Sequence, residues 1–280
     1  MPAAGRFREY AAQPEAVATA DGRHTAARVA HRMGRTRLVG LLAEPVSSSN
    51  IHAIAMTERF PRWRADRALL KPLLSGLAIL LLLLMFAKLG SEVFEGETRG
   101  FDAYFLHHAQ ALRVAYPRLA DVMRDLSALG STVLMTLIAL ITVVYLALVG
   151  ARPMAALVAG AVVTGAVMVD LMKLAFGRLR PDPAFAEMAA QGLSFPSGHS
   201  SISAIVYLTL GALVASTRTR LVERTYILAV SAVMTGLVGI SRVALGVHWA
   251  TDVVAGWAFG TAWAMAWLLL AARIVRGGTP

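Results

Sequence analysis

Six apolar runs, each near the length a bilayer core demands, decide what this chain can become. They cover about residues 68–89, 126–149, 154–176, 199–216, 226–240 and 253–272. A helix needs roughly 20 apolar residues to cross the hydrocarbon layer, and only helices or closed barrels satisfy their backbone there. The first run, centred on "LAILLLLLMF", has the unbroken character of a helix. Only 16% of the 280 residues are charged, against about one quarter in a soluble domain. The expected fold is all-α and integral to the membrane, with six transmembrane helices in one bundle. Gly256 and Gly260 form a small-xxx-small pair suited to close helix packing.

The polar loop "GSEVFEGETRG" follows the first span. "FDAYFLHHAQALRVA" comes next, with apolar residues at helical spacing, and is expected as an interfacial helix between spans one and two. His107 and His108 lie on it about 100° apart, a poor joint metal site, and are read as surface residues. Residues 1–65 read as a basic cytoplasmic tail, disordered or lying on the surface, with "GRHTAARVAHRMGRTRLVGLL" a candidate amphipathic helix and Met56 an alternative start. Residues 66–275 read as one six-span domain. The absence of cysteine excludes disulfides, thiolate metal sites and a thiol nucleophile. The net charge of +10 fits loops that touch anionic lipid, and nucleic acid is not an expected partner.

Six spans return both termini to one side. The tail, Arg152, Arg218, Arg220, Arg224, Arg273 and Arg276 share that side, which the positive-inside rule makes cytoplasmic. The opposite face receives "KLAFGRLRP" (Lys173 to Pro181), "PSGH" (Pro196 to His199) and "SRVALGVHWATD" (Ser241 to Asp252). Charged groups converging at a membrane face from separate segments mark a functional site. Lys173, Arg180 and Arg242 offer donors suited to phosphate oxygens. Arg178 fits ligand contact and snorkelling equally, and Asp170 is expected to hold Lys173. The "PSG" turn, with Ser197 and Gly198, opens a helix, and a helix N-terminus favours anions. His248 and Asp252 are four residues apart, so the carboxylate can fix the imidazole tautomer and leave the other nitrogen as nucleophile or base. "LG" at 245–246 supplies the break that lets Arg242 and His248 both face inward. His199 remains to protonate a leaving oxygen.

These motifs resemble the type 2 phosphatidic acid phosphatase superfamily, which also includes bacterial acid phosphatases and vanadium haloperoxidases. Its pattern K-x6-RP, PSGH and SR-x5-H-x3-D is met by Lys173, Arg180 and Pro181, by Pro196 to His199, and by Ser241, Arg242, His248 and Asp252. The resemblance covers about residues 65–275. It implies that His248 attacks phosphorus to give a phosphohistidine while Asp252 orients it. His199 would protonate the departing oxygen and then activate water. Lys173, Arg180, Arg242, Ser197 and the Gly198 N–H would hold the phosphoryl oxygens.

No cofactor is expected, and no metal, since no acidic cluster faces this side. The expected partners are the membrane and a phospholipid or polyprenyl phosphate substrate; the sequence does not address oligomeric state. The expected setting is a bacterial inner membrane, with the site on the outer face. "DLSALGS" and the compact six-span layout look like bacterial members of that superfamily assigned to undecaprenyl pyrophosphate recycling, and the resemblance implies that substrate. Phosphatidylglycerophosphate, phosphatidate and lipid A are the alternatives within hydrolysis, a lipid phosphotransferase would use the same site, and an anion transporter is the reading from another class.

Overall fold

The computed structural model describes residues 67–277, with side chains for 70–274. The basic tail, its amphipathic stretch and Met56 lie outside the described residues. Among the described residues every regular element is helical: α1 (Arg67–Glu95), α2 (Arg99–Ala115), α3 (Arg118–Ala128), α4 (Thr132–Leu148), α5 (Arg152–Phe176), α6 (Gly198–Ser216), α7 (Leu221–Ala244) and α8 (Ala250–Gly277). A single 3-10 turn, Pro183–Phe185, interrupts the long connection between α5 and α6.

Among the described residues six stretches are long and apolar enough to cross a membrane, with α3 and α4 together making the second. This multi-pass membrane bundle turns many large apolar side chains outward, among them Leu80, Leu84, Val133 and Leu148. Such exposure would be costly in water and is the expected outer face in lipid.

The helix ends differ from the hydropathy reading because termination is a backbone matter. α1 runs through "GSEVFE", expected as loop, and stops before Gly96, whose φ is 80°. α7 extends past both ends of its apolar run and stops before Gly246, whose φ is 71°. A Cβ at Gly246 would meet the Phe185 carbonyl oxygen at 2.0 Å, so both conformation and space require glycine there.

α6 is the centre of the bundle and packs against both α7 and α8. Its contact with α8 is a backbone approach. A Cβ at Gly256 would lie 2.9 Å from the Ser197 carbonyl oxygen, and one at Gly260 would lie 2.5 Å from that of Ser201. The small-residue pair on α8 therefore seats the start of α6. Behind it, Phe195 is fully buried and packs between Phe86 of α1 and Phe176 of α5. This aromatic cluster pins the residue that precedes the α6 turn.

Candidate active site

α5 ends, α6 starts, α7 ends and α8 starts at the same end of the bundle, where the first three and the turn before α8 line one cavity of about 370 Å³. Lys173, Arg180, Gly198, His199, Arg242 and His248 all contribute to its wall. Three segments distant in sequence are thus brought together, as the alternation of spans requires.

Each side chain has a local reason for its place. Gly177 closes α5 in the left-handed conformation, φ 60°, one turn after Lys173. The Ser197 hydroxyl accepts from the Ser200 N–H at 3.4 Å and caps α6, an arrangement typically worth about 1 kcal/mol. Ser197 is fully buried and does not line the cavity. Its hydroxyl, expected on the anion, is instead committed to the helix start. Gly198 lies against the lysine: a Cβ there would sit 3.3 Å from Lys173 Nζ. Arg242 ends α7, and the turn through Gly246 reverses the chain so that His248 faces the same cavity.

His248 is fixed on both ring nitrogens. Its Nδ1 lies 3.3 Å from Asp252 Oδ2. Its Nε2 lies 2.9 Å from Arg180 Nη1. A guanidinium only donates, so Nε2 must be the acceptor and Nδ1 must carry the proton. The lone pair therefore sits on the nitrogen nearest the cavity cations. Burial pushes the His248 imidazole down to about 4, partly opposed by the Asp252 carboxylate and reinforced by Arg180 and Arg242. The neutral ring is held at any pH above that value. On histidine-labelled protein, nitrogen NMR is expected to find His248 neutral, with Nδ1 protonated, at pH 5.5. A protonation midpoint at 6 or higher, or an Nε2–H tautomer, would contradict this geometry.

Asp252 is fully buried and stands behind His248, outside the cavity wall. Its Oδ2 also accepts from the Ser194 hydroxyl and from the Trp249 N–H at 3.0 Å. Its Oδ1 accepts from Arg178 Nη1 at 2.6 Å. Arg178 is therefore engaged inside the protein, and it does not line the cavity. Its other nitrogen, Nη2, donates to Asp102 at 2.6 Å, so one guanidinium bridges two carboxylates. Asp102 on α2 and Ser194 just before the turn carry no motif signal; only the folded contacts show them.

The remaining cations are held differently. Arg180 donates to the carbonyls of Gln191, Gly192 and Val247. Burial lowers its affinity for a proton, against the opposing pull of Asp252. Arg242 is 3% exposed, donates to Ser127 Oγ at 2.6 Å and touches Met188 Sδ, while its Nε has no partner. Ser127 belongs to "DLSALGS", a stretch that in the sequence bore only on the choice of substrate. Asp170 lines the cavity, but the expected ion pair with Lys173 does not form. Among the described residues, Lys173, Arg180 and Arg242 have no carboxylate within 4 Å. Three cations without a carboxylate in bonding range thus face one cavity together with two imidazoles. Among the described residues no three His, Cys, Asp or Glu side chains are grouped to hold a metal ion.

Known proteins can now be set beside this geometry. The PAP2 superfamily profile matches residues 153–276. Phosphatidylglycerophosphatase B of Bacillus subtilis is 36% identical over 99 residues, 35% of this chain and 48% of the relative. Lipid A 1-phosphatase of Rhizobium johnstonii is 37% identical over 123 residues, 41% of this chain and 44% of the relative. The matches thus span about half the length of those curated relatives. A crystal structure of a transmembrane PAP2-type phosphatidylglycerolphosphate phosphatase from Bacillus subtilis superposes with a TM-score of 0.62. It is 27% identical and covers 72% of this chain and 97% of that one.

Proposed function

We propose that this chain, whose residues 153–276 match the PAP2 superfamily profile, is an integral membrane phosphatase of that kind that hydrolyses a lipid phosphate through a phosphohistidine. The observation that carries the reading is the trio of buried or half-buried cations with no carboxylate beside them, facing His248 Nε2. Burying charge without a partner costs several kcal/mol. A dianionic phosphoryl group repays that cost through charge-assisted bonds, and most strongly as its oxygens gain charge in the transition state.

In the first step the Nε2 lone pair forms a bond to phosphorus in line with the lipid oxygen. The P–O bond breaks, its electrons go to that oxygen, and His199 supplies the proton. Asp252 holds the Nδ1 proton and stabilises the imidazolium that forms. In the second step His199 takes a proton from water, the water oxygen bonds to phosphorus, and the N–P bond returns its electrons to His248. Lys173, Arg180 and Arg242 hold the phosphoryl oxygens throughout, joined by the N–H of Gly198 at the α6 start.

The relatives' names put phosphatidylglycerophosphate and lipid A first among substrates. A lipid diphosphate such as undecaprenyl pyrophosphate is the second reading. Three unpaired cations exceed the charge of a monoester dianion and match a diphosphate better. The reading places the cavity at headgroup level on the outer face of a bacterial inner membrane, with both termini cytoplasmic, and needs no metal. Purified protein tested with EDTA against phosphatidylglycerophosphate, phosphatidate, lipid A and undecaprenyl pyrophosphate is expected to release phosphate from at least one, with EDTA changing the rate less than twofold. No phosphate from any of the four would remove the proposal. Transfer of the phosphoryl group to a second lipid instead of water would make the enzyme a phosphotransferase.

A further inference from the structure

Arg178 and Asp102 form a buried array that reaches the nucleophile from the helix between spans one and two. Arg178 Nη1 donates to Asp252 Oδ1 at 2.6 Å and to Thr251 Oγ1 at 2.7 Å. Its Nη2 donates to Asp102 Oδ2 at 2.6 Å and to Thr98 Oγ1 at 3.3 Å. Asp102 in turn accepts from the Thr251 N–H at 2.9 Å and from the Thr251 hydroxyl. Asp102 is 1% exposed and the Arg178 side chain 14%. The guanidinium also lies 5.4 Å from the centre of the Trp249 ring, beside His248 in sequence.

The geometry points to Asp102 as a positioning residue of the hydrolytic site, acting through Arg178 to hold Asp252 against His248. The inference rests on the proposed function above. Asp252 has two oxygens and two tasks. Arg178 occupies Oδ1, so Oδ2 is left to His248, Ser194 and the Trp249 N–H. Without Arg178 the carboxylate would be free to turn about its bond and share one oxygen between tasks. Without Asp102 the guanidinium would keep only the longer Thr98 contact on Nη2 and lose the charged anchor that fixes its plane. Thr251, in the first turn of α8, ties the array to the helix that carries Asp252. A contact on α2 thereby reaches a ring nitrogen that α2 itself never touches.

The test is kinetic, on the full chain, with whichever of the four lipids the wild type hydrolyses fastest. Asp102→Asn is expected to lower kcat roughly tenfold to a hundredfold, the range for groups that orient a working imidazole, with KM within twofold. Arg178→Met is expected to lower kcat similarly and to move the acid limb of kcat/KM upward by about one pH unit. The sign follows from removing a cation that shares the Asp252 charge, which leaves that carboxylate free to stabilise the imidazolium. The other charged or titratable groups facing His248 or its cavity are Arg180 in the α5–α6 connection, Arg242 on α7, Lys173 and Asp170 on α5 and His199 on α6, and none of them changes. Arg178→Lys keeps the charge without the fork and is expected to recover part of kcat and the original acid limb. The double variant is expected to be no worse than twofold below the poorer single one, since both act on one array.

If Asp102→Asn does not accumulate in the membrane, Thr251→Val removes the hydroxyl that joins Asp102 and Arg178 at nearly constant volume, and kcat is expected to fall at least about fivefold. Wild-type kcat in whichever of these two variants folds, an unmoved acid limb in Arg178→Met, or losses that multiply in the double variant would each overturn the inference. These failures are separable from failure of the parent reading, which turnover by a His248 variant, or no phosphate release by the wild type, would show.

Discussion

Phosphate release is expected to vanish in His248→Ala, by more than about 10³-fold, with membrane insertion intact. The imidazole is buried and clamped on both nitrogens, so no neighbour stands where Nε2 stands. Truncation leaves Asp252 with the donors from Arg178, Ser194 and Trp249, so the carboxylate stays satisfied and the fold survives. The wild type, quenched in mid-turnover with labelled substrate, is expected to carry phosphate that acid removes and base does not, as a P–N bond requires; the variant should carry none. Residual turnover above background in His248→Ala would remove this residue as the nucleophile.

The second large effect separates function from stability. Arg242→Met is expected to cost kcat about 10² to 10³-fold, the scale of losing one preorganised donor to transition-state charge. The same change is expected to leave the melting temperature unchanged or raise it. Arg242 is 3% exposed, its Nε has no partner, and no carboxylate lies within 4 Å among the described residues. Replacing a buried charge of that kind with an apolar side chain of similar length removes a desolvation penalty. A structural arginine gives the reverse sign, as Arg113 illustrates. It is also buried, but donates to Glu187, to the Ala244 carbonyl and to the Phe185 carbonyl at 2.7 Å. A Met variant at 242 that melted well below the wild type would place Arg242 in the scaffold and weaken the anion reading.

The cavity residues were legible because two independent patterns agree on them. Span alternation brings the ends of α5 and α7 and the starts of α6 and α8 to one face, and the motif residues sit at those ends. Gly256 and Gly260 were legible for the same reason: their spacing has one main use in a bundle. The role of Arg178 was not, since an arginine's counter-ion is a fact of tertiary contact, and Asp102 lies 76 residues earlier on an amphipathic helix where an acid in the first turn looks ordinary. Ser197 misled in another way. A serine before a helix serves as cap or as ligand, and only the Ser200 contact decides for the cap. Asp170 misled by simple proximity, three residues from Lys173 on one helix, yet no ion pair joins them.

The glycine seam between α6 and α8 has a consequence for how substrates of different size can be handled. His199 rides on one of these helices, and the other begins two residues after His248. Their backbones are in contact, so sliding one past the other would drive carbonyl oxygens into neighbouring carbons. Proton donor and attacking nitrogen are in effect mounted on a single stiff plate. Any accommodation of a bulkier headgroup must come from across the gap, through the long lysine stem of α5 and the loop that carries Arg180, while the reactive pair keeps its spacing.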